Sequence, residues 1–344
     1  MKNLELTYSP YKLELKSSFE TAHGKFDNRK GFIISIRNSD GVEGIGDTAP
    51  FPDIGSESLG DAEQVLKNIK LDLKIDLTNI RESFKELLND YDSLPSLRHG
   101  IEQALLNLIC KEKNVTIDKL LELNLKRVIN VNASIGFSAE DAAILKAKKL
   151  IKMGFKTLKI KVGRDNFEED YNCIKTVRDQ IGNDAKLRID ANGKWNLESA
   201  INNLEKLKEF NLEYAEQPVN SLDDFVKLKS DVSLPLAAAD ESIRTIKAAE
   251  EFIKKNATDY LILKPMIIGG LLPTLEIIEM AEKNNIIPVI TSSFESAIGK
   301  ANAVIAAATV KKKITHGLGL NDYFRSDIIP DPFPVKDGKI TLSN

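Results

Sequence analysis

Three short acidic motifs and two basic ones could do chemistry together in this chain. They are Asp190-Ala191-Asn192, Glu216-Gln217-Pro218 and Asp240-Glu241-Ser242, with Lys159-Ile160-Lys161 before them and Lys264-Pro265 after. Each ends a short apolar run. Buried carboxylates at one level repel one another unless a cation neutralises them. With no histidine or cysteine among them, Asp190, Glu216 and Asp240 make an all-oxygen donor set. That set suits a hard cation, Mg2+ or else Mn2+. Open coordination positions would take a substrate carboxylate and stabilise charge as a neighbouring carbon loses its proton. Lys161 and Lys264 approach from opposite sides. A lysine near a metal and other cations has its pKa lowered and can act as a base. The reaction class read from these residues is proton abstraction α to a carboxylate.

The elements that must position them alternate. From about Val128, eight strand-like runs recur at spacings of roughly 25–30 residues, with amphipathic helices between. They are Ile129–Ala133, Thr157–Lys161, Lys186–Asp190, Leu212–Glu216, Leu236–Asp240, Tyr260–Lys264, Ile287–Ser292 and Lys313–Gly317. Ser138 with Asp141, and Ser221 with Asp224, read as near capping boxes. Asn196 reads as the cap of a helix whose stripe is Leu197, Ile201, Leu204 and Leu207. Gly154 reads as a helix stop. Eight such units predict an α/β fold, a closed (β/α)8 barrel over 126–320 with its active site at the C-terminal ends of the strands. Residues 1–125 read as an α+β domain. Strands are expected at Tyr8–Leu15 and Lys30–Arg37, a turn at Asn38–Gly41, and helices near 62–69, 80–88 and 97–110. The tail, 321–344, is expected to return to that domain.

Composition narrows the class. The 344 residues carry a net charge of -3, which offers no basic field for nucleic acid. No apolar run has bilayer length, and Met1–Thr7 has no apolar signal core. Cys110 and Cys173 read as reduced core thiols, so a cytoplasmic location is expected. His23, His99 and His316 are too scattered for a histidine metal site. The expected partner is a small-molecule carboxylate; the oligomeric state, a homo-oligomer included, stays open.

The five motifs together resemble the signature of the enolase superfamily, muconate-lactonizing subgroup, and the resemblance spans essentially the whole chain. It implies a modified, TIM-like barrel with an α+β capping domain. It also implies Lys161 as catalytic lysine supported by Lys159, and Asn192 beside the metal site. Glu241 would orient Lys264. Within the subgroup, Ala49-Pro50-Phe51-Pro52 with Ser56–Leu59, and Thr291–Gly299, resemble o-succinylbenzoate synthases. Ser292, Ser293, Glu295 and Gly317 are the implied substrate contacts, since hydroxyls and N–H groups at a helix start can hold a carboxylate. By family pattern, dipeptide epimerases place an Asp-x-Asp pair after strand eight; here stands His316-Gly317-Leu318-Gly319-Leu320-Asn321-Asp322. The implied activity is Mg2+-dependent dehydration of 2-succinyl-6-hydroxy-2,4-cyclohexadiene-1-carboxylate to o-succinylbenzoate, in menaquinone biosynthesis. N-succinylamino acid racemase, dipeptide epimerase and an inactive binding protein are the alternatives. Ser17–Gly24 would be a lid loop hinged at Gly24, with His23 a surface residue, and Trp195 would serve packing.

Overall fold

A computed structural model describes residues 4–21, 24–69, 75–319 and 323–342. The first part is an antiparallel sheet of Glu5–Thr21, Gly24–Arg37 and Glu43–Thr48, in chain order. Phe32, Ile34 and Ile36 alternate onto one buried face. They meet the helix Pro95–Lys113, which buries Leu97, Ile101, Leu105 and Leu108. The helix lies almost on the third strand. A Cβ at Gly44 would stand 2.0 Å from Ala104 O, and one at Gly46 2.0 Å from Gly100 O. Only glycine permits that approach.

The segment expected as a lid loop is instead the end of a long hairpin. Its two strands slip register between Glu14 and Phe19 and pair again from Phe19–Phe26 to Thr21–Gly24. Gly24 is therefore the first residue of a paired strand. Ala22 and His23, between the strands, lie outside the described residues.

The barrel follows, as expected from the strand spacing. Seven parallel strands run in sequence order: Ala133–Ile135, Thr157–Lys161, Lys186–Asp190, Leu212–Glu216, Leu236–Ala238, Tyr260–Leu263 and Ile287–Ile290. The expected first strand is divided at Asn132. Its earlier half, Val128–Val131, pairs in parallel with Thr315–His316, the eighth strand. A bridge between Thr291 and Gly317 ties strand seven to strand eight, and the ring closes. Arg188 braces this seam from the interior. It donates to Thr315 O (2.9 Å), Asn132 Oδ1 (3.2 Å) and Glu213 Oε2 (2.6 Å), and lies 4.6 Å over the Tyr214 ring.

The tail serves both parts. Phe324 bridges to Leu15, and Arg325 N donates to Glu14 O at 2.8 Å. Lys339–Thr341, however, pairs antiparallel with Val128–Val131, so the end of the tail belongs to the barrel and not to the capping domain. The outer edge of that strand would otherwise leave backbone groups unpaired. Leu320, Asn321 and Asp322 lie outside the described residues. Two caps form as predicted: Ser221 accepts from Asp224 N and Asn196 from Ser199 N. Ser138 does not cap. The helix Glu140–Lys152 starts after Ala139, and the Ser138 hydroxyl turns to Gly136 O. Trp195 is buried, with its ring edge-on to Phe167. Among the described residues, no helix is long and apolar enough to cross a membrane.

His99 and His316 are buried and uncharged. His99 Nδ1–H donates to Asp47 O and Nε2 accepts from Asn302; His316 Nδ1 accepts from Ile290 N. Burial pushes them down from 6.5, His99 to about 4 and His316 to about 3. The unfolded chain binds a proton on each as pH falls below 6.5, whereas the folded chain resists until about 4 and 3. The stability from keeping them neutral is thus full above 6.5 and is lost as pH falls toward 4. The unfolding free energy from urea titrations should drop over that window by on the order of a few kcal/mol. His99→Gln should make the decline shallower; an unchanged slope would contradict this.

Candidate functional site

Lys161, Asp190 and Glu216 stand opposite one another on strands two, three and four, with Lys161 paired to Asp190 and Asp190 to Glu216. Asp240 lies two residues beyond the end of strand five, and Lys264 follows directly on strand six. The chain turns sharply at this rim. Asn192 and Gln217 take positive φ, 45° and 41°. Non-glycine residues in that region are strained and concentrate at functional sites.

All three carboxylates are deeply buried, with Asp190 1 %, Glu216 4 % and Asp240 4 % exposed. Such groups must be paired. Asp190 Oδ2 takes Lys161 Nζ at 2.7 Å and Lys159 Nζ at 2.9 Å. Glu216 Oε1 takes Lys159 at 2.8 Å, and Asp240 Oδ1 takes Lys264 at 2.5 Å. Asn192 Oδ1 accepts a second bond from Lys161, and its amide donates to Glu241 Oε1 at 2.7 Å. Glu241 therefore anchors Asn192, and through it Lys161, rather than orienting Lys264 by contact.

The charges shape one another. Burial alone would raise Asp190, but Lys159 and Lys161 outweigh it and hold the carboxyl below its ordinary value. Glu216 moves up, from burial first and the neighbouring Asp190 second. Burial and Asp240 push Glu241 up to about 7. Lys264 answers to its own carboxylate neighbours. Burial does favour the neutral amine, but Asp240 and Glu241 prevail and the pKa rises.

Among the described residues, no three Asp, Glu, His or Cys side chains are grouped so as to hold a metal as they stand, because lysines hold the carboxylates. The donor chemistry nevertheless fits a hard divalent cation. Only carboxylate oxygens converge there, and Glu216 Oε2 is buried with no hydrogen-bond partner. A buried carboxylate oxygen left bare is a site for a cation or a donor.

The site opens into a cavity of about 600 Å³ between barrel and capping domain. Lys159, Lys161, Asp190, Asn192, Glu216, Asp240 and Lys264 line it together with Ser292, Ser293 and Gly317. Glu295 does not. Its carboxylate turns back to accept from Ser293 N–H, so it shapes the loop instead of facing a ligand. Sequence reasoning missed Lys16, Lys146, Lys149, Phe155 and Tyr323 on the cavity wall. The lysines of the helix Glu140–Lys152 had the pattern of a solvated face, and nothing local distinguished them.

It also missed the clamp that holds the roof. Arg29 lies 4.1 Å over the Phe51 ring and donates to Ala49 O (2.8 Å), Pro50 O (3.0 Å) and Phe294 O (3.4 Å). Asp47 accepts from Tyr11 OH and from both Ser296 N and Ser296 Oγ. The Ala49–Pro52 and Thr291–Gly299 segments are thus locked together. Glu57 serves a different end, accepting from Ser96 N and Leu97 N at the start of the long helix.

The family of enolase C-terminal domain-like proteins matches residues 142–344. The chain belongs to that family. A hydrophobic dipeptide epimerase of Enterococcus faecalis is 28 % identical, over 92 % of this chain and 89 % of its own length. An o-succinylbenzoate synthase of Thermobifida fusca is 32 % identical over 59 % of this chain and 63 % of its own. The structure of the Enterococcus faecalis dipeptide epimerase with Mg and L-Leu-L-Tyr superposes with TM-score 0.89 at 25 % identity, covering 98 % of this chain and 96 % of that one. These relatives are enzymes, and both a lyase and an isomerase are among them.

Asp240→Asn keeps the shape of the site and removes one of its charges. Mg2+ at about 100 times its Kd should stabilise the wild type by about 2.7 kcal/mol. The variant should lose that gain, and turnover should fall by about 10²–10³-fold or more. Full activity of the variant in chelator would refute the metal assignment.

Proposed function

We propose that this protein is an o-succinylbenzoate synthase, which dehydrates 2-succinyl-6-hydroxy-2,4-cyclohexadiene-1-carboxylate with Mg2+ as its cofactor. The observation that carries the reading is the charge of the cavity wall. Among the described residues, Lys16, Lys146, Lys149, Lys159, Lys161 and Lys264 line it, against Asp190, Glu216 and Asp240, and the segment after strand eight adds Gly317 and Gly319. The substrate has two carboxylates and no cation, which matches such a wall. A dipeptide brings an ammonium. Left unpaired among lysines, that charge would cost several kcal/mol, on the order of 3–5 for a broken buried pair. The resemblance to the Thermobifida fusca synthase supports the same choice.

Asp190, Glu216 and Asp240 are the residues that would hold Mg2+. When bound, it would supply positive charge beside the ring carboxylate as that group becomes an enediolate. This chain's residues do the rest. Lys161, fixed by Asp190 and Asn192, takes the α-proton from the ring carbon. The resulting ammonium returns a proton to the departing hydroxyl on the same face. The C–O bond breaks, water leaves, and the ring becomes aromatic. Lys264, kept cationic by Asp240, stabilises the enediolate from the other side. Phe51, Ile54 and Phe294 close the cavity from above and keep out water.

A second reading, N-succinylamino acid racemase, is favoured by one feature. Lys161 and Lys264 lie on strands two and six of one cavity, as a base on each face requires. An N-succinylamino acid also carries two carboxylates and no ammonium.

Dehydration should exceed epimerisation of L-Ala-L-Glu in kcat/KM by at least about 100-fold, or roughly 2.7 kcal/mol. The reverse order would overturn the choice of substrate. Lys161→Ala should abolish dehydration. Lys264→Arg, which keeps the charge, should retain more dehydration than Lys161→Arg, and both should lose any racemisation. Equal, complete loss in the two arginine variants would show that Lys264 has another role, and Lys264→Met would separate lost charge from crowding.

A further inference from the structure

Lys264 stands at the head of an unusual loop, Lys264-Pro265-Met266-Ile267-Ile268-Gly269-Gly270-Leu271-Leu272. A single helical turn, Pro265–Ile268, begins immediately after it, and both Ile267 N and Ile268 N donate to Lys264 O at 2.9 Å. Two glycines with φ of 99° and 145° then turn the chain into the helix Leu271–Lys283. From the barrel, Thr274 Oγ1 donates to Gly270 O at 2.6 Å. The capping domain grips the same turn from outside, through its helix Pro95–Lys113.

Arg98 Nη1 donates to Gly269 O at 2.6 Å, and Glu102 Oε1 accepts from Leu272 N at 3.1 Å. The two side chains face each other one helical turn apart, with Arg98 Nη1 3.7 Å from Glu102 Oε2. Glu102 is fully buried and fills the space a Gly270 Cβ would need, its oxygens 2.4 Å from that position. Oε2 has no hydrogen-bond partner. Burial pushes the carboxyl up to about 7 despite Arg98 and the helix N–H groups. Apolar side chains would fill this space at lower cost, since buried ion pairs seldom add net stability. What apolar side chains could not do is grip both the carbonyl between the two glycines and an N–H beyond them.

We propose that Arg98 and Glu102 are positioning residues, by which the capping domain fixes the Gly269-Gly270 turn and with it the place of Lys264 in the cavity. Lys161 is independent of them, because Asp190 and Asn192, which hold it, belong to the barrel. This rests on the proposed role of Lys264 in the chemistry.

The test is made on the full chain with Mg2+ present. Glu102→Ala should lower kcat for dehydration by about 10–100-fold while KM stays within about twofold. Glu102→Gln, which still offers an acceptor to Leu272 N, should recover most of the loss. In a Lys264→Met background, Glu102→Ala should cause no further fall, because its effect passes through that lysine. The same fold loss in both backgrounds, or a glutamine variant as poor as the alanine, would overturn the proposal. A second readout needs no turnover: acylation of lysines at fixed pH, read peptide by peptide. In Arg98→Met the labelling rate of Lys264 should change at least about threefold and that of Lys161 less than about twofold. A uniform change, or none at Lys264, would overturn it. Absence of dehydration in the wild type would instead defeat the functional reading and leave the labelling result to decide the positioning.

Discussion

Everything at the barrel mouth answers to one constraint: Asp190, Glu216 and Asp240 are carboxylates buried side by side with little solvent exposure. Like charges so placed are tolerable only with cations among them. Lys159 and Lys161 supply them to Asp190 and Glu216, and Lys264 to Asp240. The site is therefore organised around positive charge before any ligand arrives. One of these lysines, Lys161, is also the base of the proposed mechanism. The bare oxygen of Glu216 marks where that compensation is incomplete.

The second dependence is on the capping domain. The barrel presents the charged residues on a ring of strands, but two loops of that ring are held from outside. Arg29 and Asp47 lock the roof onto the loop after strand seven, and Arg98 with Glu102 grips the loop after strand six. The apolar cluster of Phe51, Ile54, Ile267 and Phe294 crosses the same boundary. The loop that carries Lys264 thus depends on the contact between domains, while Lys161 and the carboxylates Asp190, Glu216 and Asp240 belong to the barrel alone.

Much of this was legible in the sequence because its signals are local. Strand spacing predicted the barrel, and the placement of each charge at a strand end predicted which residues meet. Asn196 and Ser221 announced their helices. What failed was long-range or competitive. Ser138 looked like a cap, but its hydroxyl found Gly136 O first. Glu295 looked like a ligand contact, but a nearer backbone N–H takes it. Glu241 looked like a partner for Lys264 and found Asn192. The earlier half of the divided first strand pairs with Thr315–His316 and with Lys339–Thr341, some 200 residues on, which no local pattern encodes. Arg98 and Glu102 read as one more charged pair on a helix face; only the glycines they meet give them meaning.

The account stands or falls on carbon-acid chemistry that needs both the carboxylate site and Lys161. The direct measurement uses the cyclohexadiene substrate deuterated at its α-carbon and follows release of deuterium to water. With Mg2+ the wild type should release it, with a rate lowered by the isotope. Chelator, or Lys161→Ala with Mg2+ present, should reduce release to the uncatalysed rate. Release that persists at the wild-type rate in chelator, or in the Lys161→Ala variant, would contradict the account.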